Sequence, residues 1–135
     1  MTGLECTVGP DEPAILPQDL RAGARRVSVV YGVSTSKPRS PDHYSTKITN
    51  LSSRRVRVRL FGAFHVHAVA RPIDTASGRY FSPFDFRQWY GQKDEWIEPG
   101  ESVIDPNNYG ARPILWVYFC EDDLGDRFVT GGSLA

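Results

Sequence analysis

The sequence predicts an all-β chain, an antiparallel β-sandwich with one short capping helix. Three observations carry this reading. β-Branched and aromatic residues fall in short runs, about seven of them, separated by turn-forming residues. One run, Arg55-Val56-Arg57-Val58-Arg59-Leu60, alternates basic and apolar residues strictly, which is the period of a half-buried antiparallel strand. One stretch, Ser82 to Gly91, carries helix signals at both ends. At 135 residues the chain can bury one core of its own. Its 40% hydrophobic content is that of a globular protein.

Residues 1–26 hold Pro10, Pro13 and Pro17 with Gly3 and Gly9, and read as an extended arm ahead of a single domain over 27–135. Val27 to Val33 reads as the first strand, followed by a loop through Pro38 and Pro41. Tyr44 to Thr49 is a second strand with Tyr44, Thr46 and Ile48 on one face. Asn50 to Ser53 is a turn; Asn50-Leu51-Ser52 is also a glycosylation sequon, but a turn residue is the better account of Asn50. In the alternating strand Val56, Val58 and Leu60 face the core and the arginines face out. Phe61-Gly62-Ala63-Phe64 breaks the period, which suggests a bulge or a close backbone approach at Gly62. His65 to Ala70 resumes in extended form, and 71–80 is a loop around Pro72 and Gly78.

The helix follows. Ser82 supplies a capping hydroxyl, Pro83 the first helical position and Asp85 an acid at the third. Phe86, Trp89 and Tyr90 then share one face, and Gly91 stops the helix. Trp96-Ile97 and Ser102-Val103-Ile104 are short strands around Pro99-Gly100, and Asp105 to Gly110 a polar loop. Pro113 to Cys120, nearly all apolar, suits a central strand covered on both faces. Glu121 to Gly125 is a hairpin loop, with Asp126 to Thr130 the return strand. The wording Ile48-Thr49-Asn50-Leu51-Ser52, then the alternating strand, then Ile97-Glu98-Pro99-Gly100-Glu101-Ser102-Val103 resembles that common in immunoglobulin-like domains. The resemblance implies a Greek-key type of sandwich and brings no activity with it.

A formal net charge of +0 hides an asymmetry. Arg21 to Arg59 contains ten Lys or Arg and one acid, Asp42, whereas Asp74 to the end contains eleven acids and five bases. The first account is pairing between cross-strand neighbours. The second is that Arg55, Arg57 and Arg59, with the acidic hairpin at Asp122 and Asp123, form contact surfaces for a protein partner, a second copy included. Zero net charge and the absence of interleaved surface aromatics argue against nucleic acid.

His65-Val66-His67 is the candidate metal pair, because residues two apart on a strand point to the same side; His43 is the third histidine. Trp89, Tyr90, Trp96 and Tyr109 flank loops and could line a shallow site for a sugar or other small ligand. For catalysis there is no Gly-x-Ser-x-Gly elbow, phosphate-cradling loop or Cys–His spacing of a known kind. Two cysteines, Cys6 and Cys120, are too few for a disulfide scaffold and read as free thiols. No run approaches the roughly 18 apolar residues of a membrane span. Met1 to Cys6 lacks the pattern of a secretory signal, which points to the cytoplasm. The functional expectation is therefore a non-catalytic binding or assembly module that self-associates. The alternatives are a metal protein using His65 and His67 and a ligand-binding sandwich using the loop aromatics.

Overall fold

The computed structural model of the chain describes residues 17–34, 42–65, 80–110 and 113–134, with only the backbone given for residues 17, 18 and 65. Helix α1 spans Pro17–Ala24 and α2 spans Pro83–Tyr90. The strands are β1 (Val27–Val33), β2 (His43–Asn50), β3 (Val56–His65), β4 (Trp96–Ile97), β5 (Ser102–Tyr109), β6 (Ile114–Asp122) and β7 (Arg127–Leu134). They form two antiparallel sheets, one ordered β1-β2-β5 and the other β4-β3-β6-β7. The chain is mostly β, as its sequence predicts.

One apolar core lies between the sheets. Val27, Tyr44, Ile48 and Val103 enter it from the first sheet. Val56, Val58, Phe61, Ile114, Trp116 and Tyr118 enter from the second. Helix α2 adds Phe86 and Tyr90. Phe61 touches the rings of Phe81, Phe86, Trp89, Trp116 and Tyr118, all with centroids within 6.1 Å. The phenols inside this core are paired rather than stranded: Tyr90 and Tyr118 share a 2.7 Å hydrogen bond, and the Trp116 indole donates to Tyr44. Helix α2 begins and ends as its sequence dictates, with a reciprocal Ser82–Asp85 capping box and a left-handed Gly91.

Four expectations are corrected. The extended arm is in part a helix: Pro17 was read as excluding one, but it opens α1, where a missing backbone donor costs nothing. Residues 1–16 lie outside the described residues. Helix α1 packs on β7, with Leu20 against the outer apolar cluster of the second sheet. Leu60 does not join Val58 in the core. The register slips between Val58 and Leu60, so Arg59 is the bulged residue and Leu60 pairs with Phe119 on the outer face, among Phe64, Val117 and Val129. The bulge thus falls ahead of Gly62, which sits buried and regularly paired with Val117. Finally, Asp105 to Tyr109 is strand rather than loop, and β4 and β5 belong to different sheets, so the Pro99-Gly100 turn carries the chain from one to the other.

That crossing is pinned by Asn50, whose side chain is fully buried. Its amide donates to the carbonyls of Arg54 and Ile97, and its oxygen accepts from the Ser52 backbone and hydroxyl. Its own backbone bonds Glu101 and Gly100. One side chain therefore ties the β2–β3 turn to the β4–β5 crossing.

Two predictions follow from these close contacts. An alanine Cβ at Gly23 would lie 1.8 Å from the Val129 carbonyl oxygen. Gly→Ala inside a helix normally stabilises by about 1 kcal/mol. Here Gly23→Ala lowers the urea midpoint instead, by lifting α1 from β7. Asn50→Asp replaces a double donor with a carboxylate facing two carbonyls, and costs about 3 kcal/mol or more in urea denaturation.

Candidate functional site

Strands β3, β6 and β7 bring the two charged halves of the sequence into one row. Trp96, Arg57, Glu121 and Arg127 are successive cross-strand partners on β4, β3, β6 and β7. Glu121 is the hinge of the row. Arg57 donates to it from Nε at 2.9 Å and from Nη2 at 2.5 Å. Arg59 donates to both oxygens at 3.2 Å, and Arg127 Nε donates at 3.2 Å. Arg57 and Arg59, two apart on β3, lie on the same side of the strand and so reach one carboxylate. Arg57 also lies 3.3 Å from Glu95. Arg55 and Arg57 stand over the Trp96 ring at 4.5 and 5.2 Å.

A second cluster closes the β6–β7 hairpin. Asp122 accepts from the backbone of Leu124 and Asp126 through one oxygen and from Arg26 Nη2 through the other. Arg26 Nη1 reaches Asp126 at 2.7 Å, and the same guanidinium covers the Phe128 ring at 3.9 Å. Arg54 donates to Asp123 at 2.7 Å. The basic strand and acidic hairpin, expected as two contact surfaces, are thus adjacent and bonded to each other. Arg55, Arg57, Arg59, Asp122 and Asp123 each have a partner of opposite charge within the chain.

Burial pushes the Glu121 carboxyl up. Hydrogen bonds from Arg57 and Arg127 and the charge of Arg59 outweigh it and hold the group below the usual carboxylate range. Asp122 behaves alike: burial raises it, and the backbone donors of Asp126 and Leu124, with Arg26, bring it below its ordinary value.

The other candidate residues do not converge. Tyr90 is buried in the core and Trp89 packs on Phe61 and Phe81. Trp96 lies under two arginines, and Tyr109 is exposed and stacked on His43 with centroids 4.2 Å apart. No shared ligand surface joins these four. His67, with Val66, lies outside the described residues, as does the side chain of His65, and so the metal pair does too. Among the described residues no group of three His, Cys, Asp or Glu is placed to hold a metal ion. Cys120 is buried, and burial pushes its thiol up, away from reactivity; Cys6 lies outside the described residues.

One grouping was not foreseen from the sequence, because its members are far apart in the chain. Ser34, His43 and Asp105 are all buried; Ser34 follows β1, His43 opens β2 and Asp105 lies midway along β5. Ser34 donates its hydroxyl proton to the Pro106 carbonyl at 2.9 Å, and His43 Nε2 lies 3.1 Å from Ser34 Oγ. Which of Ser34 and His43 donates in their shared contact is set by the imidazole tautomer. The cluster acts as a clasp between strands. Burial raises the Asp105 carboxyl, offset in part by the Asn107 backbone donor and by His43.

The lowered carboxylates set an acid limit on stability. Their contribution is complete above the unfolded values, about 4.3 for Glu and 3.9 for Asp, and is lost as pH falls through the lower folded values. Wild-type urea midpoints therefore drop between about pH 5 and pH 3. Glu121→Gln loses about 1–3 kcal/mol at pH 7 and shows a shallower acid dependence. A wild-type midpoint flat to pH 3 would contradict this assignment.

No family model and no curated protein sequence matches this chain. It is similar to the X-ray structure of Northeast Structural Genomics Consortium target SoR45, over 81% of this chain and 83% of that one, at 15% identity and a TM-score of 0.43. At that level the likeness says nothing about activity.

Proposed function

We propose that this chain is a non-catalytic assembly module of β-sandwich type, and that it associates with a second copy through the outer face of the β1-β2-β5 sheet. The supporting observation is the composition of that face. Val30, Lys47 and Ile104 are cross-strand partners in one row, and Val30 and Ile104 are 53% and 49% exposed. The next row is Ser28, Thr49 and Ser102, with a 2.8 Å hydroxyl bond between the last two. Tyr109, 62% exposed, lies toward the far end over His43. Flat rows of β-branched and hydroxyl side chains suit packing against another sheet.

The charged row of the other sheet is a weaker contact candidate, since its guanidinium and carboxylate groups already neutralise each other. This inverts the salt dependence expected from charge-driven docking. Association through Val30 and Ile104 persists at high salt, because apolar burial is not screened. Size-exclusion chromatography with light scattering at about 0.05 and 0.5 M salt tests it. The expected result is a dimer or larger species at both salts that Val30→Asp or Ile104→Asp dissociates, while Arg57→Ala does not. A monomer at both salts, at concentrations up to about 1 mM, would overturn the reading.

A further inference from the structure

Asp42 stands apart from the other acids. Every other acid among the described residues has a partner, whether an arginine, a cap or a backbone donor. Asp42 is exposed just ahead of β2, and only its main chain is engaged, its carbonyl accepting from Gly110. Lys47 lies further along the same strand, exposed and without an ion pair among the described residues. Val30 and Ile104 flank it directly across the two neighbouring strands. When such a face is covered, a charge between apolar groups needs an opposite charge beside it. Asp42 cannot serve within one chain, because about 16 Å of extended strand separates the two.

A second copy can serve. Two aligned sheets can lay this face together about a two-fold axis in two ways. With the axis along the strands, Lys47 meets Lys47 and Asp42 meets Asp42. With the axis across the strands, near Ser45, each Lys47 lies over Asp42 of the other copy. Only the second arrangement pairs the charges, and symmetry pairs them twice. The middle of the face suits it, since Ser45 is the cross-strand partner of Gly32 and neither has bulk to hold two sheets apart. The same arrangement lays the Val30 and Ile104 row of one copy toward the exposed Tyr109 end of the other.

We propose that two copies meet with their β2 strands antiparallel, and that Lys47 and Asp42 form the reciprocal ion pair that fixes their orientation. The inference rests on the reading of the outer face as the contact between copies. Apolar burial supplies the affinity. The charge pair selects the alignment, because the parallel one sets like charges against each other.

The test is a charge exchange read by analytical ultracentrifugation of the whole chain at about 0.05 M salt. Lys47→Asp sets acid against acid, and Asp42→Lys sets lysine against lysine. Each variant alone is expected to associate about tenfold more weakly than wild type, or worse. An equimolar mixture of the two restores both pairs with their signs exchanged, and is expected to form a heterodimer with wild-type affinity. Urea midpoints of each variant, expected to match wild type, identify any loss of fold. A wild-type dimer that Val30→Asp dissociates, but that both charge variants leave unchanged, would overturn the pairing and leave the contact face standing. So would folded, weakened variants whose mixture does not recover. A monomeric wild type would overturn the face itself, and the pairing with it.

Discussion

Strand β6 imposes the constraint on which the rest of the second sheet depends. It is flanked by β3 and β7 and is buried on both faces, with Ile114, Trp116, Tyr118 and Cys120 toward the core and Val117 and Phe119 outward. Such a strand has no free side on which to shed charge into water. Its acidic end, Glu121-Asp122, is therefore neutralised in place. Arg57 and Arg59 supply one side, Arg127 the other, and Arg26 caps the hairpin. The requirement reaches back into the sequence: a strand with arginine at every second position must lie beside one that ends in acids.

The same constraint explains the layers around β6. An outward row of Val117, Phe119 and Val129 needs a cover, and α1 provides it through Leu20. The approach is close enough that Gly23 lies directly on the β7 backbone, and a Cβ at Gly131 or Gly132 would lie 2.4 Å from the Trp116 carbonyl oxygen or 3.2 Å from that of Val29. Close backbone packing, more than side-chain size, holds these elements together. The first sheet differs, since its outer face keeps exposed apolar groups at Val30 and Ile104. Its edge strand β5 is blunted instead: Pro106 has no backbone donor, and those of Asn107 and Tyr109 are taken by Asp105 and Asn108 side chains. Contact through the face, rather than along that edge, is consistent with this arrangement.

Much of the fold was legible because its signals are local. The period of Val56 and Val58, the Ser82–Asp85 box, the Gly91 stop and the apolar run of β6 each depend on neighbours a few residues away. Where the reading failed, the cause was long-range. The Arg59 bulge moves Leu60 to the other face, where it pairs with Phe119, a register set by β6 far along the chain and not by neighbours of Leu60. Asp105 to Asn108 looks like a polar loop, yet pairs with β2, and its polar side chains find partners in β5 itself, as in the bond from the Asn107 backbone to Asp105, and across on β2, as in the Asn108–Thr46 bond. The Ser34–His43–Asp105 clasp left no sequence signal, since its members are far apart in the chain. The loop aromatics are close in sequence, but the core takes Trp89 and Tyr90, the arginines cover Trp96, and Tyr109 stacks on His43.

The central claim is that the charged halves of this chain are bonded to each other across β3 and β6. A double-mutant cycle on Arg57 and Glu121, read by urea denaturation at pH 7 with both single alanine variants and the double, measures that coupling directly. The account predicts a coupling energy of about 1 kcal/mol or more, reflecting a carboxylate only 9% exposed beneath a guanidinium 30% exposed. A coupling near zero would mean that the two charges stand side by side without holding the strands together, and would return both surfaces to the role of external contacts.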